Sequence, residues 1–246
     1  KRRYLGTGPH LAVMITTLRC NQSCVYCHAS RTDMHRTDTD MSLETARMAV
    51  DHAMKTPSEY LCFEYQGGEP TVNWEVLKFC VEYSRERNKQ ERKTLDHSVV
   101  TNMTYMTEER ANWLVDNNVL VCTSLDGPEH VHNANRPWTG KKAAAYESVV
   151  GWIKYFNQRY IDRGLDPELW HVDALMTTTR RSMENWKEIV DLYVEMGIRN
   201  LHLRPLNPFG FATRTWRAVG YTMEEWLAFY AKTLDYILEL NQQGVQ

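Results

Sequence analysis

The sequence predicts an α/β fold, a partial (β/α)6 barrel that is related to the closed TIM barrel but has an open side. Two observations support this prediction: short β-rich runs alternate with longer segments of helical period, and there are six such units. Strand, helix and strand in tandem imply a parallel sheet with right-handed crossovers. Six units are fewer than the eight of a closed barrel, so the barrel would be splayed. Periodicity alone leaves a doubly wound open sheet as the alternative.

The predicted strands and helices alternate along the whole chain. The strands are residues 11–17, 60–66, 97–102, 120–125, 171–176 and 200–206. The helices are residues 42–55, 73–93, 107–117, 143–163, 183–196 and 222–241. Ser42, Thr107 and Thr222 stand where an N-cap is expected, and Gly197 stands where a helix end favours glycine.

The composition is that of an ordinary globular enzyme, with 43% hydrophobic and 24% charged residues. The formal net charge of −2 gives no electrostatic footprint for nucleic acid, and no apolar run is long enough to span a membrane. The sequence has no signal-peptide pattern, and its six cysteines lack the density of a secreted disulfide scaffold. We therefore expect a cytoplasmic protein with neither nucleic acid nor a membrane as a partner.

The length of 246 residues suits one domain, because α/β barrels of this size often form a single unit. We expect residues 1–246 to be that domain. The chain opens with Lys1-Arg2-Arg3 instead of an initiator Met, which favours a fragment of a longer protein.

Three cysteines, Cys20, Cys24 and Cys27, lie within eight residues on the loop that leaves the first predicted strand. Thiolates are soft ligands that select zinc, copper(I) or iron–sulfur clusters. A four-iron cluster held by three thiolates keeps one iron open, and an open metal position is where chemistry takes place. The other three cysteines lie within predicted strands or a helix and are expected to be small buried apolar residues.

Polar residues follow the next three strands, at the edge where parallel α/β folds collect ligands. The second strand leads into Gln66-Gly67-Gly68-Glu69-Pro70, where paired glycines allow close backbone approach and the carboxylate can accept from an amine. Thr101-Asn102 ends the third strand, and Ser124 and Asp126 share one face at the end of the fourth. Arg136, just beyond, is suited to pairing with a carboxylate. This edge would hold an iron–sulfur cluster beside a zwitterionic amino acid.

The Cys-x3-Cys-x2-Cys spacing, with Tyr26 just before the last cysteine, resembles the radical S-adenosylmethionine (SAM) superfamily. Gly67-Gly68-Glu69-Pro70 resembles that superfamily's motif for the SAM amino group. The resemblance spans strands one to four by motif and all six units by architecture. It implies the partial (β/α)6 barrel of the radical SAM core.

The resemblance implies a 4Fe–4S cluster and SAM as cofactors, with Cys20, Cys24 and Cys27 as the metal ligands. The implied cofactor-binding residues are Tyr26, Gln66, Gly67, Gly68, Glu69, Asn102, Ser124, Asp126 and Arg136. Tyr26 would pack near the adenine, and residues 67–69 would take the SAM ammonium group. Asn102, Ser124 and Arg136 match positions that contact the SAM ribose or carboxylate. Asp126 serves either the cofactor or the turn at Gly127-Pro128.

A finer resemblance is to the peptide- and protein-modifying subgroup that carries a C-terminal SPASM extension. Residues 66–70, 101–102 and 124–128, followed by His-x-x-x-Arg, are similar to anaerobic sulfatase maturases, and residues 17–21 with Ser30-Arg31 are most similar to His-Xaa-Ser system maturases. Two features depart from this pattern: Asn133 stands where the subgroup has Asp, and no cysteine follows Cys122 to hold auxiliary clusters. We therefore expect the extension to be cut away or lacking.

The resemblance implies a peptide maturase that cleaves SAM reductively to a 5′-deoxyadenosyl radical, which abstracts hydrogen from a peptide or protein. Its partners would be that substrate and a reductant such as flavodoxin or ferredoxin. The alternatives are a radical SAM enzyme acting on a small molecule and a sulfatase-type formylglycine maturase. An alternative of a different class is a non-catalytic module with a structural zinc in the cysteine loop. This alternative would leave the Gly-Gly-Glu turn at residues 67–69 without a role. A phosphate-binding enzyme is disfavoured because no Lys follows the glycines. The sequence identifies no catalytic acid or base.

Overall fold

The structure, a computed structural model, contains six strands in one sheet, in the sequential order β1-β2-β3-β4-β5-β6. It describes residues 8–139 and 145–245, so Lys1-Arg2-Arg3, the predicted helix start at residue 143 and Gln246 lie outside the described residues. The strands are β1 (Leu11–Thr17), β2 (Tyr60–Gly67), β3 (Thr94–Thr101), β4 (Val119–Ser124), β5 (Asp173–Thr177) and β6 (His202–Arg204). The pairs β1–β2, β2–β3, β4–β5 and β5–β6 are parallel. A doubly wound sheet would reverse its strand order, so the sequential order confirms the partial barrel.

Helices connect the strands and follow the last of them. Within the described residues they are α1 (Leu43–Met54), α2 (Trp74–Glu91), α3 (Glu108–Asp116), α4 (Glu129–Asn135), α5 (Ala145–Asp162), α6 (Arg180–Glu184), α7 (Trp186–Glu195), α8 (Ala212–Val219) and α9 (Met223–Gln242). Short 3₁₀ helices span Thr37–Thr39 and Pro70–Asn73. The helix predicted over residues 183–196 is in fact two helices, and α4 and α8 were not predicted.

The predicted helix signals are confirmed by the geometry. The side chains of Ser42, Thr107 and Thr222 each accept a hydrogen bond from the main-chain N–H three residues further on. Gly197 has a φ of +67°, the left-handed conformation that glycine adopts at a helix C-terminus. No helix of the described residues is long and apolar enough to cross a membrane.

By its internal contacts the chain divides into two compact units. The first unit comprises residues 1–20 and 31–121, and the second comprises residues 21–30 and 122–246. The first unit therefore contains β1 to β3 and α1 to α3, and the second contains β5, β6 and α4 to α9.

The core of the first unit is formed by alternate strand residues. Leu61, Phe63 and Tyr65 of β2 are fully buried. On β1 the pattern is one-sided, because Leu11, Val13 and Ile15 are 43–46% exposed. These three apolar side chains of β1 therefore lie on a face of the sheet that the helices do not bury. The three cysteines outside the loop differ in burial. Cys80 is buried as expected. Cys62 and Cys122 are only half-buried, so the expectation of buried residues was wrong at these two positions.

Candidate cofactor site

The glycine pair that follows β2 lies against the chain's own backbone. A Cβ added at Gly67 would lie 2.1 Å from the Thr17 carbonyl oxygen, and one at Gly68 would lie 2.4 Å from that of Arg19. The N–H groups of Gly68 and Glu69 donate to the carbonyls of Thr17 and Arg19, each at 2.8 Å. Glycine at both positions is thus required for the turn to pack against the start of the cysteine loop.

We expect the substitution Gly67→Ala to lower the free energy of unfolding by about 3 kcal/mol, because it adds a backbone clash at a φ of +144°. Urea denaturation measures this difference. Gly151→Ala on α5 is the matched control, because its Cβ would meet no atom within 4 Å, and we expect a gain of about 0.5–1 kcal/mol. Equal stability of the two variants would contradict the packing role of the turn.

Glu69 is fully buried and its carboxylate is held by four donors. Oε1 accepts from the N–H and hydroxyl of Thr71 at 3.1 and 2.5 Å and from the Thr101 hydroxyl at 2.7 Å. Oε2 accepts from the Asn102 N–H at 2.7 Å. Burial raises the pKa of Glu69, and these hydrogen bonds partly offset the rise. The carboxylate therefore joins the ends of β2 and β3.

Asn102 connects Glu69 to the first cysteine. Its Nδ2 lies 3.5 Å from the Cys20 Sγ, and its Oδ1 accepts from the N–H and hydroxyl of Thr104 at 2.9 and 2.6 Å. Cys20 and Asn102 are both buried. Thr71, Thr101 and Thr104 support this arrangement, and of these three only Thr101 was predicted to lie at the ligand edge. A local signal existed, since an acidic residue before Pro70 is typical of a helix N-cap with proline at the first position.

In the second unit, Asp126 is the centre of a buried polar cluster. Its Oδ2 accepts from the Tyr26 hydroxyl at 2.5 Å and from the Arg136 Nε at 3.1 Å. Its Oδ1 accepts from the Thr177 N–H at 3.2 Å. The Arg136 guanidinium also lies over the Tyr26 ring, 5.3 Å from its centroid. Asp126 therefore fixes both a tyrosine of the cysteine loop and an arginine beyond β4.

The electrostatics of this cluster keep Arg136 charged and Tyr26 neutral. Burial opposes the charge of Arg136, but the nearby Asp126 carboxylate more than offsets it and raises the pKa of Arg136 well above its ordinary value. Burial also disfavours the charged form of Tyr26, so it raises the pKa of Tyr26 well above its ordinary value. The positive charge of Arg136 only partly offsets this rise.

The second and third cysteines of the loop are also in this unit. The Cys24 Sγ lies 3.9 Å from the Arg136 Nη1. Burial raises the pKa of the Cys24 thiol to about 11, and the positive charge of Arg136 partly offsets this rise. Two hydrogen bonds join the cysteine loop to the start of α8. The Phe211 N–H donates to the Cys27 carbonyl at 2.8 Å, and the Thr215 hydroxyl donates to the Val25 carbonyl at 2.6 Å.

His132 supports Asp126 from α4. The Asp126 N–H donates to its Nδ1 at 3.3 Å, so the neutral ring carries its proton on Nε2. Its Nε2 has no hydrogen-bond partner among the described residues. The imidazole ring lies edge-on to the Tyr146 ring, with 6.1 Å between the ring centroids. Burial lowers the pKa of His132 to about 4. These contacts give the buried His132 a structural role.

Because the pKa of His132 in the folded chain lies below its unfolded value, only the unfolded chain gains a proton between these two values. We therefore expect His132 to cost about 3 kcal/mol of stability as pH falls from 7 to 4. Urea denaturation across this range tests it: His132→Gln should flatten the pH dependence, whereas His130→Gln, at an exposed position of the same helix, should not. An unchanged slope in His132→Gln would contradict the assignment.

The remaining predicted site residues lie at strand ends. Gln66, near the end of β2, is half-buried and its amide donates to Glu64. Ser124 is the last residue of β4 and is half-buried. Both positions fit the predicted edge, and their contacts to a cofactor stay predictions.

The donor set of the loop fits an iron–sulfur cluster in its chemistry. None of the six cysteines is in a disulfide, and two of the loop sulfurs each have a nitrogen donor close by, Asn102 for Cys20 and Arg136 for Cys24. Such outer donors are typical of cluster thiolates. Across residues 8–139 and 145–245, no three His, Cys, Asp or Glu side chains are grouped as metal ligands, so the three-cysteine ligand set stays a prediction.

Together the sequential parallel sheet, the loop of three cysteines after β1 and the glycine turn after β2 define a cofactor-dependent α/β enzyme core. The chain belongs to the Radical SAM superfamily, whose sequence profile matches residues 14–192, more than half of its length. Its cofactors are accordingly a 4Fe–4S cluster and SAM. This assignment overturns the alternative of a structural zinc module.

The chain is also similar to individual known proteins. The chain is 31% identical over 134 residues to the cysteine-type anaerobic sulfatase-maturating enzyme of Clostridium perfringens, covering 52% of this chain and 36% of that enzyme. The structure titled native anSMEcpe with bound AdoMet matches with a TM-score of 0.76 and 20% identity, over 96% of this chain and 62% of that one. Streptococcus suis SuiB bound to precursor peptide SuiA matches with a TM-score of 0.70 and 16% identity, over 96% and 47%. The chain spans 36–63% of the length of the first curated relatives it matches.

Proposed function

We propose that this chain is the core of an enzyme that modifies a side chain of a peptide or protein, in the maturation of a ribosomally made peptide. The observation that carries the proposal is the relationship to a sulfatase-maturating enzyme, combined with the cysteine loop and the two polar clusters that adjoin it. The fold likeness to SuiB, a protein solved with a precursor peptide, adds support. Flavodoxin or ferredoxin would be the reductant.

Cys20, Cys24 and Cys27 would hold the cluster through their thiolates. When bound, the cluster and SAM would supply the radical chemistry for abstraction of a hydrogen atom from the substrate, with the electron coming from the reductant and methionine leaving. Since metal binding requires thiolates, cluster binding would release a proton from each of these cysteines that is a thiol. The nearby Arg136 charge stabilises the thiolate of Cys24.

We also infer how SAM would be held. The Glu69 carboxylate accepts from four internal donors and its main-chain carbonyl accepts from the Val72 N–H, so we assign the SAM ammonium to the main-chain carbonyls of Gly67 and Gly68. Arg136 uses its Nε for Asp126 and its Nη1 lies near the Cys24 Sγ, so we assign its Nη2 to the SAM carboxylate. Ser124 at the end of β4 would contact the ribose, and Tyr26 would lie near the adenine.

The experiment is a reaction of the anaerobically reconstituted protein with SAM, dithionite and candidate peptides. The expected result is formation of 5′-deoxyadenosine and a changed mass of a precursor peptide encoded beside the gene. Conversion of a sulfatase-derived peptide to formylglycine would instead assign the maturase alternative. Turnover of a small molecule with every peptide unchanged would contradict the proposal.

A further inference from the structure

The side-chain amide of Asn102 is directed at a cysteine sulfur in a buried part of the first unit. Its Nδ2 lies 3.5 Å from the Cys20 Sγ, and the two residues are 8% and 7% exposed. A hydrogen bond that water does not reach has a stronger electrostatic effect than one at the surface.

The neighbours of Asn102 determine which amide atom faces the sulfur. The N–H and the hydroxyl of Thr104 both point at Oδ1, at 2.9 and 2.6 Å. A flipped amide would place its NH₂ group against the Thr104 N–H, donor against donor, and would lose that hydrogen bond. The donor end of the amide is therefore the end that meets Cys20.

Glu69 fixes the main chain at the same position. Its Oε2 accepts from the Asn102 N–H at 2.7 Å, and its Oε1 accepts from the neighbouring Thr101 hydroxyl at 2.7 Å. The carboxylate is fully buried, so these contacts hold residues 101–102 in one place. Asn102 is thus locked from both its backbone and its side chain.

We infer that Asn102 donates a hydrogen bond to the cluster ligand Cys20 and raises the reduction potential of the cluster, with Glu69 as the positioning residue. The inference rests on the proposed function, because it takes Cys20 as a ligand. Hydrogen bonds to cluster sulfurs set the reduction potential, because a donor stabilises the more negative, reduced cluster. This role differs from the SAM contact that the family resemblance implied for Asn102.

The test measures the midpoint potential of the reconstituted cluster by a redox titration followed by electron paramagnetic resonance, without SAM or substrate. Asn102→Asp keeps an oxygen for Thr104 and removes the donor, and Asn102→Ala removes the donor without adding charge. In both variants we expect the equilibrium constant for reduction to fall about tenfold, a shift of about 59 mV to more negative potential for one electron. Glu69→Gln, which places a donor against the Asn102 N–H, should shift it in the same direction.

Ser98→Ala is the matched control. Ser98 Oγ lies 3.8 Å from the Sγ of Cys62, a cysteine of the same unit outside the loop, and the potential should not change. Wild-type potentials in both Asn102→Asp and Asn102→Ala would overturn the inference and leave the proposed function intact. Assembly of an unaltered cluster in Cys20→Ala would instead overturn the ligand assignment itself.

Discussion

Replacing Cys24 by Ala is expected to abolish cluster assembly and, with it, reductive cleavage of SAM. The loop contains three cysteines, which are the proposed ligands, so the loss of one would leave too few thiolates to hold four irons. Iron content and visible absorbance after anaerobic reconstitution should fall to the background of a sample without sulfide. No 5′-deoxyadenosine should form with SAM and dithionite.

Cys62→Ala is the control for this experiment. Cys62 is a half-buried cysteine on β2, outside the loop, and its replacement should leave the iron content unchanged. If Cys24→Ala assembled as much cluster as Cys62→Ala, Cys24 would not be a ligand.

The second large effect is expected for Asp126→Ala, which should lower the free energy of unfolding by about 3–5 kcal/mol. The substitution leaves the buried Arg136 charge without its carboxylate, and it also removes the acceptor of the Tyr26 hydroxyl. The loss is measured by urea denaturation of the chain without cofactors, so it does not depend on cluster assembly.

Glu168→Ala is a suitable control, because Glu168 forms a solvent-exposed pair with Arg199 in the same unit and such pairs contribute little. The double variant Asp126→Ala with Arg136→Met should recover part of the lost stability, since no buried charge is then left unpaired. A double variant less stable than Asp126→Ala alone would show that the penalty does not come from the charge of Arg136.

Local signals explain why most of the fold was predictable. β1 has the predicted bounds because its apolar run is continuous, and α1, α3 and α9 begin at the predicted caps. The break between α6 and α7 was missed because the apolar period continues across Asn185, although Thr179 and Ser182 form a capping box that starts α6 earlier.

The candidate site was predictable in its residues but not in their contacts. The cysteine spacing and the glycine turn are local patterns, so they identify themselves in a single sequence. The commitment of Glu69 to Asn102 and the hydrogen bond from Thr215 to Val25 join segments that are 33 and 190 residues apart. No periodicity or spacing indicates such contacts, because they depend on how the whole chain packs.

The central claim is that Cys20, Cys24 and Cys27 hold the cluster of this radical SAM enzyme. It is tested most directly by counting iron and acid-labile sulfide in the anaerobically reconstituted chain and in a variant with all three cysteines replaced by Ala. The expected result is about four irons and four sulfides for each wild-type chain, with none above background in the variant. Equal iron and sulfide in the two proteins, or zinc in place of iron in the wild type, would contradict the claim.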